Sequence, residues 1–213
     1  MIVYDLDGTL VDTLQDITNA ANHMLSQLGV AALSPDQVRR FIGRGMRQLV
    51  MDCLQTESPE RIAEGMRIYR AYYHQHLTDN SRLFPAALEV LEFFSGRTQA
   101  VISNKPNPYS TDLLKALGVD RYFFEIIGGD DPYPRKPDPA SLRVLMERAD
   151  ASNEQTIVIG DSPIDVELGR SAGVFTVCVT HGLSDRHDLI AAKPDAMVEG
   201  FASLLSLAKE QQW

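Results

Sequence analysis

Short apolar segments rich in valine and isoleucine recur along this chain, and helical patterns lie between them. Their length and composition are typical of strands that are buried on both faces of a sheet. These segments are Ile2–Tyr4, Gln99–Ser103, Glu125–Gly128, Thr156–Gly160, Phe175–Thr180 and Ala196–Val198. The helical patterns between them are Pro85–Phe94, Ser110–Leu117, Pro139–Ala149 and Asp165–Ala172. Strands that alternate with helices predict a parallel α/β sheet.

The stretch from about Leu14 to Thr78 interrupts this alternation, because it contains no convincing strand. Its helical patterns are Asp16–Leu28, Ser34–Arg40, Arg47–Leu54 and Glu60–Gln75. The pair Ser34-Pro35 is typical of a helix start, with serine at the cap and proline at the first helical position. We therefore predict an α/β fold in which residues 1–13 and 80–213 form a Rossmann-like core domain. Residues 14–79 are predicted to form an inserted, all-helical domain.

Composition narrows the classes of partner. Of 213 residues, 44% are hydrophobic and 23% charged, a balance typical of a folded globular protein. The 29 acidic and 20 basic residues give a formal net charge of −9, which disfavours binding to nucleic acid. Cys53 and Cys178 form no zinc or disulfide pattern, as expected of reduced thiols. Without a targeting segment or a run of 18 apolar residues, we expect a cytoplasmic location and no membrane partner.

Two pairs of carboxylates follow predicted strands. Asp5-Leu6-Asp7-Gly8-Thr9 follows the first strand, and Asp161 and Asp165 follow the fourth, one helical turn apart. An Asp-Gly turn or a helix cap would explain some of these residues, but not a second carboxylate in each pair. Ligands bind at the carboxyl ends of parallel strands, and carboxylates that repel one another need a divalent cation. The four aspartates therefore predict a magnesium site.

Two further loops offer groups that could hold phosphate. Ser103-Asn104-Lys105-Pro106 follows the second strand, where a hydroxyl and backbone amides could cradle phosphate oxygens. Lys136 precedes Pro137 in an extended segment that leads into a helix, so its ammonium could balance carboxylate and phosphate charge. Each loop alone is also compatible with an ordinary solvated surface.

These four motifs, in this order, resemble those of the haloacid dehalogenase superfamily of phosphatases, which use an aspartate nucleophile. The first motif is matched by Asp5–Thr9, the second by Ser103, the third by Lys136 and the fourth by Asp161 with Asp165. The resemblance implies a magnesium-dependent hydrolase that acts on a small phosphorylated metabolite. It also implies that the helical segment 14–79 is a cap over the active site.

The resemblance further implies a role for each matched residue. Asp5 would attack phosphorus and form an aspartyl-phosphate, and Asp7 would first protonate the leaving alkoxide and then activate water. The metal ligands would be Asp5, the backbone carbonyl of Asp7, Asp161 and Asp165. The phosphate-binding residues would be Gly8, Thr9, Ser103, Asn104 and Lys136, of which Lys136 also counts as catalytic.

Within the superfamily, the chain most resembles the phosphoglycolate phosphatases. The matching segments are Ile42–Gly45, Ser103–Pro106 and Gly128–Asp131. Arg44 is accordingly predicted to pair with a substrate carboxylate or phosphate, although a flexible glycine turn with a solvated arginine explains the same residues. Ser103 stands where threonine is more usual in that group, and either residue supplies a hydroxyl.

Several other functions share these motifs. A phosphomutase of the β-phosphoglucomutase type would pass the phosphoryl group to a second substrate hydroxyl, and the cap interior would decide between the two. Pyrophosphatase and nucleotide or sugar phosphatase activities also stay open. A dehalogenase would not need the acidic set, a phosphonate hydrolase would need a cap lysine, and residues 1–104 contain no lysine. A non-catalytic binding module is disfavoured by the four aspartates, and either a monomer or a homodimer is compatible with the sequence.

Overall fold

Eight strands and ten α-helices make up the computed structural model, which describes residues 1–213. The strands are β1 (Ile2–Tyr4), β2 (Val11–Asp12), β3 (Arg82–Leu83), β4 (Gln99–Ile102), β5 (Glu125–Ile127), β6 (Ile157–Gly160), β7 (Phe175–Val179) and β8 (Ala196–Val198). The helices are α1 (Leu14–Gln27), α2 (Pro35–Arg39), α3 (Met46–Leu54), α4 (Pro59–Gln75), α5 (Ala87–Phe93), α6 (Tyr109–Ala116), α7 (Ala140–Arg148), α8 (Pro163–Ala172), α9 (Arg186–Ala192) and α10 (Phe201–Glu210).

Six strands form one sheet in the order β5-β4-β1-β6-β7-β8, and every neighbouring pair is parallel. The predicted parallel α/β fold is therefore confirmed. β1 lies between β4 and β6, with Ile2 opposite both Gln99 and Ile157. The later strands lie on both sides of β1, with β4 and β5 on one side and β6, β7 and β8 on the other. Open α/β sheets form a ligand-binding crevice at such a position.

Both faces of the sheet are covered by apolar packing. Successive residues of a strand point to opposite faces, so Ile2 and Tyr4 lie in the larger apolar cluster and Val3 lies in the second. The larger cluster includes Leu204 of α10, and the second includes Leu145 of α7. Burial on two faces explains why the strand sequences are mostly apolar.

The all-helical segment lies between β2 and β3, and α1 packs against α2, α3 and α4. The chain enters through β2 and returns through β3, and the two pair antiparallel with Val11 opposite Leu83. The buried carboxylate of Asp16 accepts hydrogen bonds from the backbone amides of Asn80 and Ser81 at 2.9 and 2.7 Å. The two chain crossings, which connect the core to the helical segment, therefore run side by side. The domain boundaries at residues 14 and 79 stay a prediction.

The sequence patterns do not predict β2, β3, α9 and α10. Strands of two residues are too short to show an alternation, and they form here because the two crossings meet. For α10 the signal is present, since Phe201, Leu204 and Ala208 are buried at helical spacing. None of the helices is both long and apolar enough to span a bilayer.

Candidate active site

Three adjacent strands deliver the candidate residues to one edge of the sheet. Asp5 follows β1, Ser103 follows β4 and Asp161 follows β6, and the sheet places β1 between the other two. Carboxylate oxygens of Asp5, Asp161 and Asp165 lie within 4.8 Å of one another. The structure therefore brings together three of the predicted metal ligands.

The loop after β1 and the loop after β7 hold Asp161 in place. The hydroxyl of Thr9 donates to Asp161 Oδ1 at 2.6 Å, and the amide of Leu183 donates to Oδ2 at 2.7 Å. Gly8, with φ of +84°, and Gly182 pass so close that an added Cβ would lie within 2.4 Å of Asp161 side-chain atoms. In this structure Gly8 and Thr9 position a carboxylate, and their predicted binding of phosphate stays a prediction.

Lys136 lies between two of the carboxylates. Its Nζ is 2.8 Å from Asp5 Oδ1 and 2.7 Å from Asp165 Oδ1, and only 3% of its side chain is exposed. Asp165 lies in the first turn of α8, where its Oδ2 accepts hydrogen bonds from the amide and hydroxyl of Ser162 at 3.1 and 2.6 Å. Ser162 is the N-cap of α8 and Asp165 completes that cap with one oxygen, while the second oxygen of Asp165 faces the site.

Burial and mutual repulsion shift the ionisation of this cluster. Burial, together with the nearby Asp165, raises the pKa of Asp5 to about 7 despite the opposing charge of Lys136. Burial and the neighbouring Asp5 and Asp165 raise the pKa of Asp161 to about 8. Burial alone would lower the pKa of Lys136, but Asp165 and Asp5 together raise it. One ammonium cannot balance three carboxylates, so the cluster keeps an excess of negative charge. A divalent cation that takes oxygen ligands would neutralise this excess.

We expect magnesium to stabilise the protein more at high pH than at low pH. Because the pKa values of Asp5 and Asp161 exceed the ordinary value near 4, the folded chain holds extra protons between about pH 4 and 8. Without metal, stability therefore falls as pH rises through that window. Magnesium displaces those protons, so its addition should raise Tm by roughly 4 °C at about pH 8 and much less at about pH 5.

Thermal unfolding with and without magnesium at both pH values measures this difference. Asp161→Asn is the matched variant, and it should lose most of the shift at the higher pH. An equal shift at both pH values, or one that survives in Asp161→Asn, would show that the ion binds elsewhere.

Asp7 faces a different partner. Its Oδ1 accepts hydrogen bonds from the hydroxyl of Thr13 at 2.8 Å and from Lys105 Nζ at 2.9 Å, and Lys105 Nζ is also 3.1 Å from Oδ2. The Asp7 carboxylate therefore lies outside the cluster of three carboxylates. Metal binding through its backbone carbonyl stays a prediction.

Asn104 binds backbone groups. Its amide nitrogen donates to the carbonyls of Gly43 and Lys136 at 2.9 and 3.1 Å, and its oxygen accepts from the Lys136 amide at 3.0 Å. Ser103 Oγ accepts from the Lys105 amide at 3.2 Å, and both Ser103 and Asn104 line the cavity above Asp5. Asn104 thus joins the helical segment to the loop that carries Lys136.

Arg44 faces away from the cavity above Asp5 in this structure. Its guanidinium pairs with Asp52 of α3 at 2.9 Å, its side chain is 55% exposed, and it does not line the cavity. The reason is local: Gly43 and Gly45 have φ of +106° and +89°, and between them the chain turns the arginine toward solvent. Pairing of Arg44 with a substrate carboxylate or phosphate stays a prediction.

Sequence reasoning missed two contributors. Lys105 belongs to a quoted motif, yet its contact with Asp7 requires the fold to join residues that are distant in the chain. The Leu183 amide that holds Asp161 is a backbone group, so no residue type marks it. Its loop is fixed by His181, whose ring nitrogen is 3.1 Å from the Thr9 carbonyl oxygen.

Comparison with known proteins gives matches along most of the chain. Residues 2–179 match the family described as haloacid dehalogenase-like hydrolase. A phosphoglycolate phosphatase from Mesorhizobium japonicum is 34% identical over 96% of this chain and 92% of its own length. One from Vibrio cholerae is 32% identical over 97% and 96%. A crystal structure described as a predicted phosphoglycolate phosphatase from Haemophilus somnus superposes with a TM-score of 0.93 at 30% identity, covering 98% of this chain and 97% of that one.

Proposed function

Since this chain belongs to the haloacid dehalogenase-like hydrolase family, we propose that it is a magnesium-dependent phosphatase that hydrolyses a small phosphate monoester through an aspartyl-phosphate. The observation that carries the proposal is the position of Asp5. It ends the central strand, beside Asp161, Asp165 and the ammonium of Lys136. A carboxylate at this point is held by strands on both sides, which suits a nucleophile that must be oriented toward phosphorus.

The proposed reaction has two displacements at phosphorus. In the first, a carboxylate oxygen of Asp5 forms a bond to phosphorus while the bond to the ester oxygen breaks, and Asp7 gives the leaving oxygen a proton. In the second, Asp7 takes a proton from water, whose oxygen displaces the carboxylate and releases inorganic phosphate. Two steps of this kind replace one displacement that is extremely slow in water.

The site's charges suit this chemistry. Magnesium held by Asp5, Asp161 and Asp165 would supply positive charge between the carboxylate and the phosphate, which otherwise repel. Lys136 is fixed by two ion pairs, so its charge needs little reorganisation when phosphate arrives. The hydroxyl of Ser103, which follows β4 and lines the cavity, is a neutral donor for a phosphoryl oxygen in this proposal.

The substrate proposal begins with 2-phosphoglycolate. The cavity above Asp5 lies between the core and the helical segment, an arrangement that suits a small ligand. Residues from the helical segment form much of its wall, as expected if residues 14–79 are a cap that limits substrate size. The relatives named as phosphoglycolate phosphatases support the same choice.

Purified protein assayed for phosphate release tests this proposal. The panel contains 2-phosphoglycolate, pyrophosphate, glucose 1-phosphate, a nucleoside monophosphate and ethyl phosphate, each with magnesium or with chelator. We expect the highest kcat/KM for 2-phosphoglycolate and loss of at least about a hundredfold with chelator. Conversion of β-glucose 1-phosphate to the 6-phosphate, without phosphate release, would instead indicate the mutase. No turnover of any ester by folded protein would contradict the phosphatase proposal.

The cellular setting forms part of the proposal. We place the enzyme in the cytoplasm, as a monomer or homodimer that acts on a small phosphorylated metabolite. Cys53 and Cys178 are both free and buried, which suits a reducing compartment.

A further inference from the structure

The cavity above Asp5 has one basic side chain in its wall. Its charged lining residues are Asp5, Asp7 and Lys105, whereas most of the surface that faces the helical segment is apolar or aromatic. The residues of that wall are Ile17, Ile42, Met46, Leu49, Tyr69 and Tyr73. Lys105 is therefore the cation of this wall that a substrate would meet beyond its phosphoryl group.

Lys105 is held rigidly at the junction of the core and the helical segment. Its side chain is 4% exposed, and its Nζ lies 2.9 Å from Asp7 Oδ1 and 4.8 Å from the ring centre of Tyr73 in α4. An ammonium has three N–H donors, and Asp7 accepts at most two of them. At least one donor therefore remains for a ligand.

Tyr73 offers a second group for a ligand. It is 1% exposed, and its buried hydroxyl has no hydrogen-bond partner within the protein. Buried hydroxyls are almost always hydrogen-bonded, so this one is available to an oxygen bound in the cavity. The Lys105 ammonium and the Tyr73 hydroxyl therefore belong to two side chains that contact each other.

We propose that Lys105 selects phosphate esters that carry a second anionic group close to the ester oxygen. This inference rests on the phosphatase activity proposed above, in which Asp7 protonates that ester oxygen. Since Lys105 contacts Asp7, its ammonium lies within reach of an anion only one or two atoms beyond the ester oxygen. A carboxylate on the adjacent carbon and the second phosphoryl group of pyrophosphate share this chemistry. Without such an anion, the N–H donor of Lys105 that Asp7 leaves free would have no partner on the substrate.

The competing explanation is that Lys105 only positions Asp7. Removing Lys105 would then slow every ester by the same factor, since Asp7 serves all of them. Selection of the substrate predicts a loss that depends on the charge of the leaving group.

The test compares wild type, Lys105→Met and Lys105→Arg on 2-phosphoglycolate, pyrophosphate and ethyl phosphate. Lys115→Met is the matched control, because Lys115 is exposed on α6. We expect Lys105→Met to slow every substrate through Asp7, but to lower kcat/KM at least about thirtyfold more for the preferred anionic substrate than for ethyl phosphate, with that difference in KM. Lys105→Arg should recover part of the loss. Lys115→Met should leave kcat/KM unchanged for all three substrates.

Whichever anionic substrate the wild type prefers identifies the second group as carboxylate or phosphoryl. An equal loss on all substrates, or a wild type that does not distinguish 2-phosphoglycolate and pyrophosphate from ethyl phosphate, overturns the inference while leaving the phosphatase intact. Should Lys105→Met fail to fold, Lys105→Gln serves in its place. If wild type hydrolyses none of the three substrates, the result contradicts the proposed function itself.

Discussion

Asp5→Asn will remove phosphate release almost completely, by at least about ten-thousandfold in kcat. The amide has nearly the shape of the carboxylate but cannot form an acyl-phosphate, so the loss reports the missing nucleophile and not a changed backbone. Phosphate release from the preferred ester measures the effect. Mass spectrometry of acid-quenched wild type should also show a phosphorylated Asp5 peptide, which is absent from the variant.

The same variant carries its own control for folding. Burial and the nearby Asp165 raise the pKa of Asp5, so the charged carboxylate is unfavourable in the metal-free protein. Asp5→Asn should therefore unfold at the same temperature as metal-free wild type, or at a higher one. Asp150→Asn provides the matched substitution, because Asp150 is exposed with φ of +49°, which asparagine adopts readily. Substantial activity in folded Asp5→Asn would sink the covalent mechanism.

Lys136→Met will lower both activity and stability. The substitution leaves Asp5 and Asp165 without the ammonium that lies 2.8 and 2.7 Å from them. Removing one partner of a buried ion pair typically costs about 3–5 kcal/mol of unfolding free energy. Because the stranded carboxylates can take up protons at low pH, the loss should grow between about pH 5 and 8. Loss of a fixed charge beside the reacting phosphate should lower kcat by about a thousandfold.

Denaturant unfolding at both pH values, with and without magnesium, separates these effects. Magnesium should restore part of the stability, since it neutralises the same carboxylates. Lys209→Met is the control, as Lys209 is exposed on α10. A Lys136→Met protein that is as stable as wild type in chelator at the higher pH would contradict the ion-pair geometry.

Much of the core could be predicted because burial on two faces leaves a clear record in sequence. The runs at β1, β4, β6 and β7 are mostly apolar, with Gln99 and Thr176 as the polar exceptions, and three of the four motifs follow the end of a strand. Parallel strands place their carboxyl ends at one edge, so Asp5, Ser103 and Asp161 could be assigned to one edge from the chain alone. Their catalytic roles stay predictions.

Side-chain direction in loops could not be predicted in this way. Arg44 turns outward between two glycines, whereas Lys105 points inward to Asp7. Both have ordinary loop residues as sequence neighbours, and these do not distinguish the two directions. Whether such a cation meets solvent or a carboxylate depends on what another part of the chain places beside it. The β2–β3 pair has the same origin, because neither strand has a pattern without the other.

The central position of β1 has a consequence for biosynthesis. Its two neighbours in the sheet begin at Gln99 and Ile157, so the strand that leads to the nucleophile is translated long before either partner. Until β6 has left the ribosome, the buried segment Ile2–Tyr4 lacks one of its flanking strands, and Asp5 lacks Asp161 and Asp165. Contacts this distant in the chain form slowly. The nascent polypeptide therefore acquires its reactive centre late, and a ribosome that stalls before β6 releases a fragment with the nucleophile but no site.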